Sequence, residues 1–240
     1  MKWLFSPPSY EDVNRLLKAW RFWLLVSLLG GLAGAAIYWI APPPYRARAT
    51  VIVDFNLEEA FTPTADKQVF YYLEREVHKL EEIAWSDGVM QQVAAEAGEV
   101  GVFELRDGIL LLGQPSEGGW HFWAEDADPK RAEVLASAWA KAFAEQVKAT
   151  AVASMTLQSY HAEIENGCSN CPADLEARIA ELESRALGVT PYVEAGLTQS
   201  DNLPVSRKVH LSAYILAGAV IGLVVAAFLV MFLHPLRPER

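Results

Sequence analysis

Cys168 and Cys171 stand three positions apart in the run Gly-Cys-Ser-Asn-Cys-Pro. A C-x-x-C pair can hold half of a zinc site, run thiol–disulfide exchange or close a local disulfide. Zinc needs two further ligands, and only His161 is near in sequence. Exchange chemistry favours a helix N-terminus on a βαβ scaffold; Cys171-Pro172 does open a helical pattern, but the thioredoxin surroundings are missing. In an oxidising exterior the pair reads as a disulfide stapling a chain reversal, contributing about 2 kcal/mol for so small a loop. Free thiols, a redox pair and a metal half-site stay open as alternatives. The remaining candidates are scattered: His78, His121, His161, His210 and His234 share no ligand spacing. The acidic runs Glu58-Glu59, Glu81-Glu82 and Glu125-Asp126-x-Asp128 read as solvated surface, and Glu181 and Glu183 fall on different sides of a helix. No G-x-x-x-x-G-K-[ST], H-E-x-x-H or G-x-S-x-G is present. The expectation is a non-enzyme without catalytic residues, cofactor or metal.

The elements that would position these residues begin with the membrane. The 240 residues are 52% hydrophobic and 21% charged, with net charge −10, a balance that excludes a disordered chain and argues against a nucleic-acid partner. Residues 46–210 carry 14 basic and 27 acidic residues, whereas the two flanks carry 6 and 3. Residues 22–40 and 211–233 hold no charge, and as helices they reach roughly 29 and 35 Å against a hydrocarbon core of about 30 Å. Trp20, Trp23, Tyr38, Trp39 and Tyr214 mark their ends, as amphipathic rings do. Gly30 and Gly34 in the first span, and Gly218 and Gly222 in the second, offer small faces for helix packing. A cleaved signal peptide is the rival for the first span, with Ala33-Gly34-Ala35 as a cleavage-like site, but the apolar run continues to Ala41. Lys2, Arg15, Lys18 and Arg21 before the first span, with Arg237 and Arg240 after the second, place both termini in the cytoplasm. Arg46, Arg48, Arg207 and Lys208 lie on the far side and weaken that contrast.

Between the anchors, Pro42, Pro43 and Pro44 stop the first helix. Residues 45–54, YRARATVIVD, alternate like a strand. Residues 66–97 are helical, with a shorter helix from Ile83 to Ala97 ended by Gly98. A meander is expected next: strands at 102–106, 109–112 and 120–125, the first two joined by a tight Asp107-Gly108 turn. Asp128 caps and Pro129 opens a helix that can run to about Asn166. A second helix, from Pro172 to Gly188, carries the seam Leu175, Ile179, Leu182 and Ala186. The pair reads as an antiparallel hairpin. The return path, with Pro191 and Pro204, reads as extended chain or an edge strand. The division is a cytoplasmic amphipathic leader (1–21), transmembrane helix 1 (22–41), an extracytoplasmic α+β domain (42–210) with a long helical hairpin (129–187), transmembrane helix 2 (211–233) and a cytoplasmic tail (234–240).

This order of parts resembles the Wzz-type chain-length determinants, the polysaccharide co-polymerases. Local matches are the leader YEDVNRLLKAW, the exit APPPYRARATVIV and the helix entry AEDADPKRAEVLASAWAKAFAEQV, whose Asp128, Pro129 and Ala132 match the family's D-P-x-x-A. The chain departs from the family in its single Pro204 before the second anchor, its shorter hairpin and its cysteine pair. The resemblance implies a non-enzymatic scaffold in a bacterial inner membrane that regulates chain length, assembly or export of a surface polysaccharide. It implies partners of four kinds: copies of itself as a homo-oligomer, membrane lipids, a polysaccharide polymerase or lipid-linked glycan, and at most a separate cytoplasmic kinase, since the tail has no room for one. The alternatives are an extracytoplasmic thiol–disulfide protein using Cys168 and Cys171, and an accessory subunit of an unrelated envelope complex.

Overall fold

The computed structural model describes residues 20–60, 66–98, 100–116, 119–166, 174–198 and 202–232. The chain divides into two compact units: one from residues 1–43 with 207–240, the other from residues 44–206.

The first unit holds two helices, α1 (Trp20–Ile40) and α6 (Leu211–Phe232), packed against each other. Both are long and apolar enough to cross a membrane. Their buried residues are small: Gly31 and Gly34 in α1, Gly222 and Ala226 in α6. Leu28, Leu32, Leu216 and Ile221 are more than half exposed. A helix with bulky apolar residues outside and glycine inside suits a lipid surrounding. α1 ends where the proline run begins, the last turn closing through Ala41 N–H to Ile37 O at 2.8 Å. Residues 42–44 lie in neither helix nor strand.

The second unit is an antiparallel sheet with helices on one face. Its strands are β1 (Tyr45–Asp54), β2 (Leu110–Ser116), β3 (Gly119–Asp126), β4 (Glu194–Leu197) and β5 (Val205–Arg207), with β1 central in the order β2-β3-β1-β4 and β5 also on β1. The longer helices are α2 (Asp66–Ala84), α3 (Asp87–Ala97), α4 (Pro129–Glu165) and α5 (Leu175–Ala186). Alternation in β1 sends Ala47, Ala49, Val51 and Val53 inward, beside Trp120, Phe122 and Ala124 of β3. α4 covers this face with Leu135, Trp139, Phe143 and Val147. Alanines on both surfaces let helix and sheet approach, and rings fill the space: Phe122 lies 4.9 Å from both Trp139 and Phe143. The buried Trp139 indole donates to Ala84 O at 2.9 Å, which satisfies its one polar atom.

The start of α4 follows its sequence signals. Asp128 is the cap, its carboxylate accepting from Lys130 N–H at 3.0 Å, and Pro129 is the first helical residue. On α5 the residues that are not exposed are Leu175, Ile179, Leu182 and Ala186, the expected seam, and α5 packs on α4. α5 ends through left-handed Leu187 (φ +48°) followed by Gly188 (φ +68°).

Two expectations are corrected. The shorter helix starts at Asp87, not Ile83: Ile83 and Ala84 complete α2, and Ser86 caps α3 by accepting from Val89 N–H. Residues 102–106 form no strand. Val102–Glu104 is a helical turn continued by a wide turn over Leu105–Ile109. Asp107 and Gly108 do not take the positive φ that a two-residue hairpin requires. Burial of Leu105, and the Arg106 guanidinium bridging Trp85 O and the Asp87 carboxylate at 2.6 Å each, win over the local turn signal. The meander is therefore a single hairpin, β2–β3, and the third partner of the sheet is the distant β1.

Candidate functional site

In the two-helix unit the site is a backbone contact between α1 and α6. A Cβ built on Gly30 would run into the Gly218 carbonyl and stand 3.1 Å from Gly222 Cα; one on Gly34 would run into the Tyr214 carbonyl. A Cβ on Gly218 would strike the Gly30 carbonyl, and one on Gly222 would lie 2.6 Å from Val26 O. The two G-x-x-x-G faces therefore meet each other within one chain, and any side chain at these positions would wedge the helices apart. At one end of the pair Tyr38 sits edge-on to Tyr214 at 5.4 Å, and the Arg207 guanidinium lies 5.2 Å over the Tyr38 ring.

In the mixed unit, Glu76 of α2 is completely buried. One carboxylate oxygen accepts from Lys79 Nζ at 3.1 Å and Arg75 Nε at 3.3 Å, and the other accepts from Thr190 N–H at 3.2 Å. Lys79 also donates to Gly188 O, and the hydroxyls of Tyr72 and Thr190 share a hydrogen bond of 2.7 Å. On the α4 side, Ser154 donates to Val189 O. This network clamps residues 188–190, the start of the return path, to two helices. Burial pushes the Tyr72 hydroxyl above its ordinary pKa; the Thr190 hydrogen bond opposes that, and the Glu76 charge adds to it. Beside the clamp lies an open cleft of about 280 Å³, lined by Ser154, Leu157, His161, Pro191 and Tyr192 among others. The sequence carried one sign of the clamp: Tyr72, Glu76, Leu80 and Ile83 fall on one helical stripe, so an acid stood in an apolar row.

The sheet face away from α4 shows three successive cross-strand pairs from β1 and β3: Arg46 with Glu125, Arg48 with Trp123, and Thr50 with His121. Arg46 donates to the Glu125 carboxylate, through Nε at 2.9 Å, and Thr50 Oγ1 lies 3.1 Å from His121 Nδ1. Both guanidiniums approach the Trp123 ring, at 5.5 and 5.4 Å from its centre. The indole Nε1 lies 3.1 Å from where a Cβ on Gly113 would stand, so the bare backbone of β2 makes room for the ring.

Asp128 and Pro129 start α4, and Pro204 enters β5 by accepting from Arg48 N–H at 3.3 Å. Cys168 and Cys171 lie outside the described residues. Among the described residues no group of three or more His, Cys, Asp or Glu is placed to hold a metal ion. His78 is exposed beside Glu81 and Glu82, at 3.7 and 3.5 Å. No protein-family model matches the chain, and the comparison with curated proteins gives no match.

Proposed function

We propose that the chain is a two-pass, non-enzymatic scaffold of a bacterial plasma membrane that regulates chain length, assembly or export of a surface polysaccharide. The mixed domain stands outside, both termini are cytoplasmic, and several copies associate beside a polymerase or lipid-linked glycan. The observation that carries this reading is the framing of one α+β domain by two apolar helices. β1 starts five residues after α1 ends, β5 ends four residues before α6 starts, and both strands belong to one sheet. A second support is the 37-residue α4, whose residues 161–165 are all exposed, followed by α5. An antiparallel α4–α5 hairpin projecting from the membrane would present surface to neighbouring subunits.

The test is the length distribution of the surface glycan in cells with and without the chain. Loss of a preferred length on deletion, restored by the intact chain, is expected; an unchanged distribution overturns the reading. A cysteine replacing Ser6 that reacts with an impermeant reagent in intact cells would overturn the orientation. Loss of function on either single serine replacement of Cys168 or Cys171 would favour thiol–disulfide chemistry instead.

A further inference from the structure

The geometry points to the open sheet face around Arg48 and Trp123 as a binding platform for a carboxylate-bearing oligosaccharide, of the uronic-acid type. The inference deepens the polysaccharide reading and rests on it for the biological source of the ligand. The chain as a whole is acidic, yet this patch gathers Arg46, Arg48 and His121 around a single carboxylate, Glu125, which is engaged by Arg46. Among the described residues Arg48 has no carboxylate partner; the residue is exposed and its guanidinium is held beside the indole. Stacking on the ring fixes the fork of donors while leaving their charge to be met from outside.

The patch also has the right mixture of surfaces. A sugar acid offers an apolar C–H face, hydroxyls and one negative group per acidic residue. The platform offers an indole, the Thr50 hydroxyl with its hydrogen-bonded His121, and a preorganised guanidinium. Arg46, Arg48 and Thr50 alternate along β1, so the patch extends about 13 Å, a length that a short oligosaccharide covers. Farther along the same face, Asp54 of β1 is paired with Glu194 of β4. That acidic end sets a limit and gives the platform a direction. A polyphosphate has no apolar face to lay on the indole and would use only the charge of the patch. Each sugar of a uronic-acid oligosaccharide brings an apolar face beside its carboxylate, so it can use both the indole and the guanidinium.

The experiment uses the full chain in nanodiscs of neutral lipid, with tetragalacturonate as the probe and maltotetraose as the uncharged control, binding being read by calorimetry. Tetragalacturonate is expected to bind and maltotetraose to bind at least about tenfold more weakly, the scale of one charge-assisted contact. Arg48→Gln, at an exposed site, should lose about the same factor with an unchanged melting curve. Gly113→Val, which presses on the Trp123 indole and on His121 Cβ and leaves every charge in place, should weaken binding by about fivefold, the scale of a stacking contact. Equal binding of the two sugars, no binding of either, or wild-type affinity in Arg48→Gln overturns the proposal. So does loss of binding when the discs contain phosphatidylglycerol, which would assign the face to lipid headgroups. Failure here with an altered glycan length on deletion removes only the platform. Binding here with unaltered length on deletion removes the scaffold reading and leaves the platform standing.

Discussion

Glu76 shows what one buried charge does for this protein. It accepts from Lys79, Arg75 and the Thr190 amide, and so joins a helix to residues 114 positions away. Glu76→Ala removes all three acceptor contacts and leaves the Lys79 ammonium, one-fifth exposed, short of its counter-charge. The expected loss is about 2–3 kcal/mol, below the full cost for an entirely buried pair. Glu76→Gln, which keeps an acceptor for Thr190 N–H, should lose less; denaturant unfolding in nanodiscs checks both. Tyr72 gives a pH prediction. Its folded-state pKa is raised by burial, so the folded state holds the proton more tightly than the unfolded chain. Its contribution is complete below the unfolded tyrosine value of about 10 and is lost as pH rises from there through the folded value. Wild type should therefore lose stability between neutral and strongly alkaline pH more steeply than Tyr72→Phe, measured as the difference between their unfolding midpoints.

At the scale of elements, the glycine contact and the α4 cap make separate predictions. Gly34→Val places two methyl groups where the Tyr214 carbonyl stands, so α1 and α6 must separate. Spin labels on the exposed sites Leu32 and Leu216, in a Cys168→Ser, Cys171→Ser background, should report a longer distance. Ala33→Val, on the exposed side of α1, should leave that distance unchanged. Asp128→Ala removes the acceptor for Lys130 N–H and should destabilise the mixed unit by about 1 kcal/mol in thermal unfolding. The same scale explains why residues 102–109 form a helical turn in place of a strand and tight turn. A local Asp-Gly signal competes there with a buried leucine and an arginine bridging two groups, and the long-range contacts prevail.

At the scale of the whole molecule, the prediction is association. The described residues leave large apolar side chains exposed on α4, Val152 at 63% and Met155 at 59%, in a region outside the candidate membrane spans. Such residues on one helix are a surface that a second copy can cover. Mass measurement in nanodiscs should give a homo-oligomer, and Val152→Glu with Met155→Glu should lower the copy number. A monomer for the wild-type chain over a wide concentration range would count against self-association.

What could be read from sequence alone was local. Two charge-free runs, the Asp128-Pro129 start of α4, the spacing of Leu175, Ile179, Leu182 and Ala186, and the alternation of β1 each depend on residues within a few turns or one strand. Composition and periodicity report such features directly. Partners distant in sequence were decided by the tertiary structure. Arg46 meets Glu125 across 79 positions because the register of β1 on β3 pairs them, and neither strand's pattern specifies that register to the residue. The G-x-x-x-G faces were visible singly, but that Gly30 lies on Gly218 and Gly34 on Tyr214 follows from how two helices cross. Glu76 was an acid in an apolar stripe until the return path supplied the amide of Thr190. Burial of a charge is a property of the assembled fold, since the groups that make it tolerable come from chain segments that meet only when the molecule is folded.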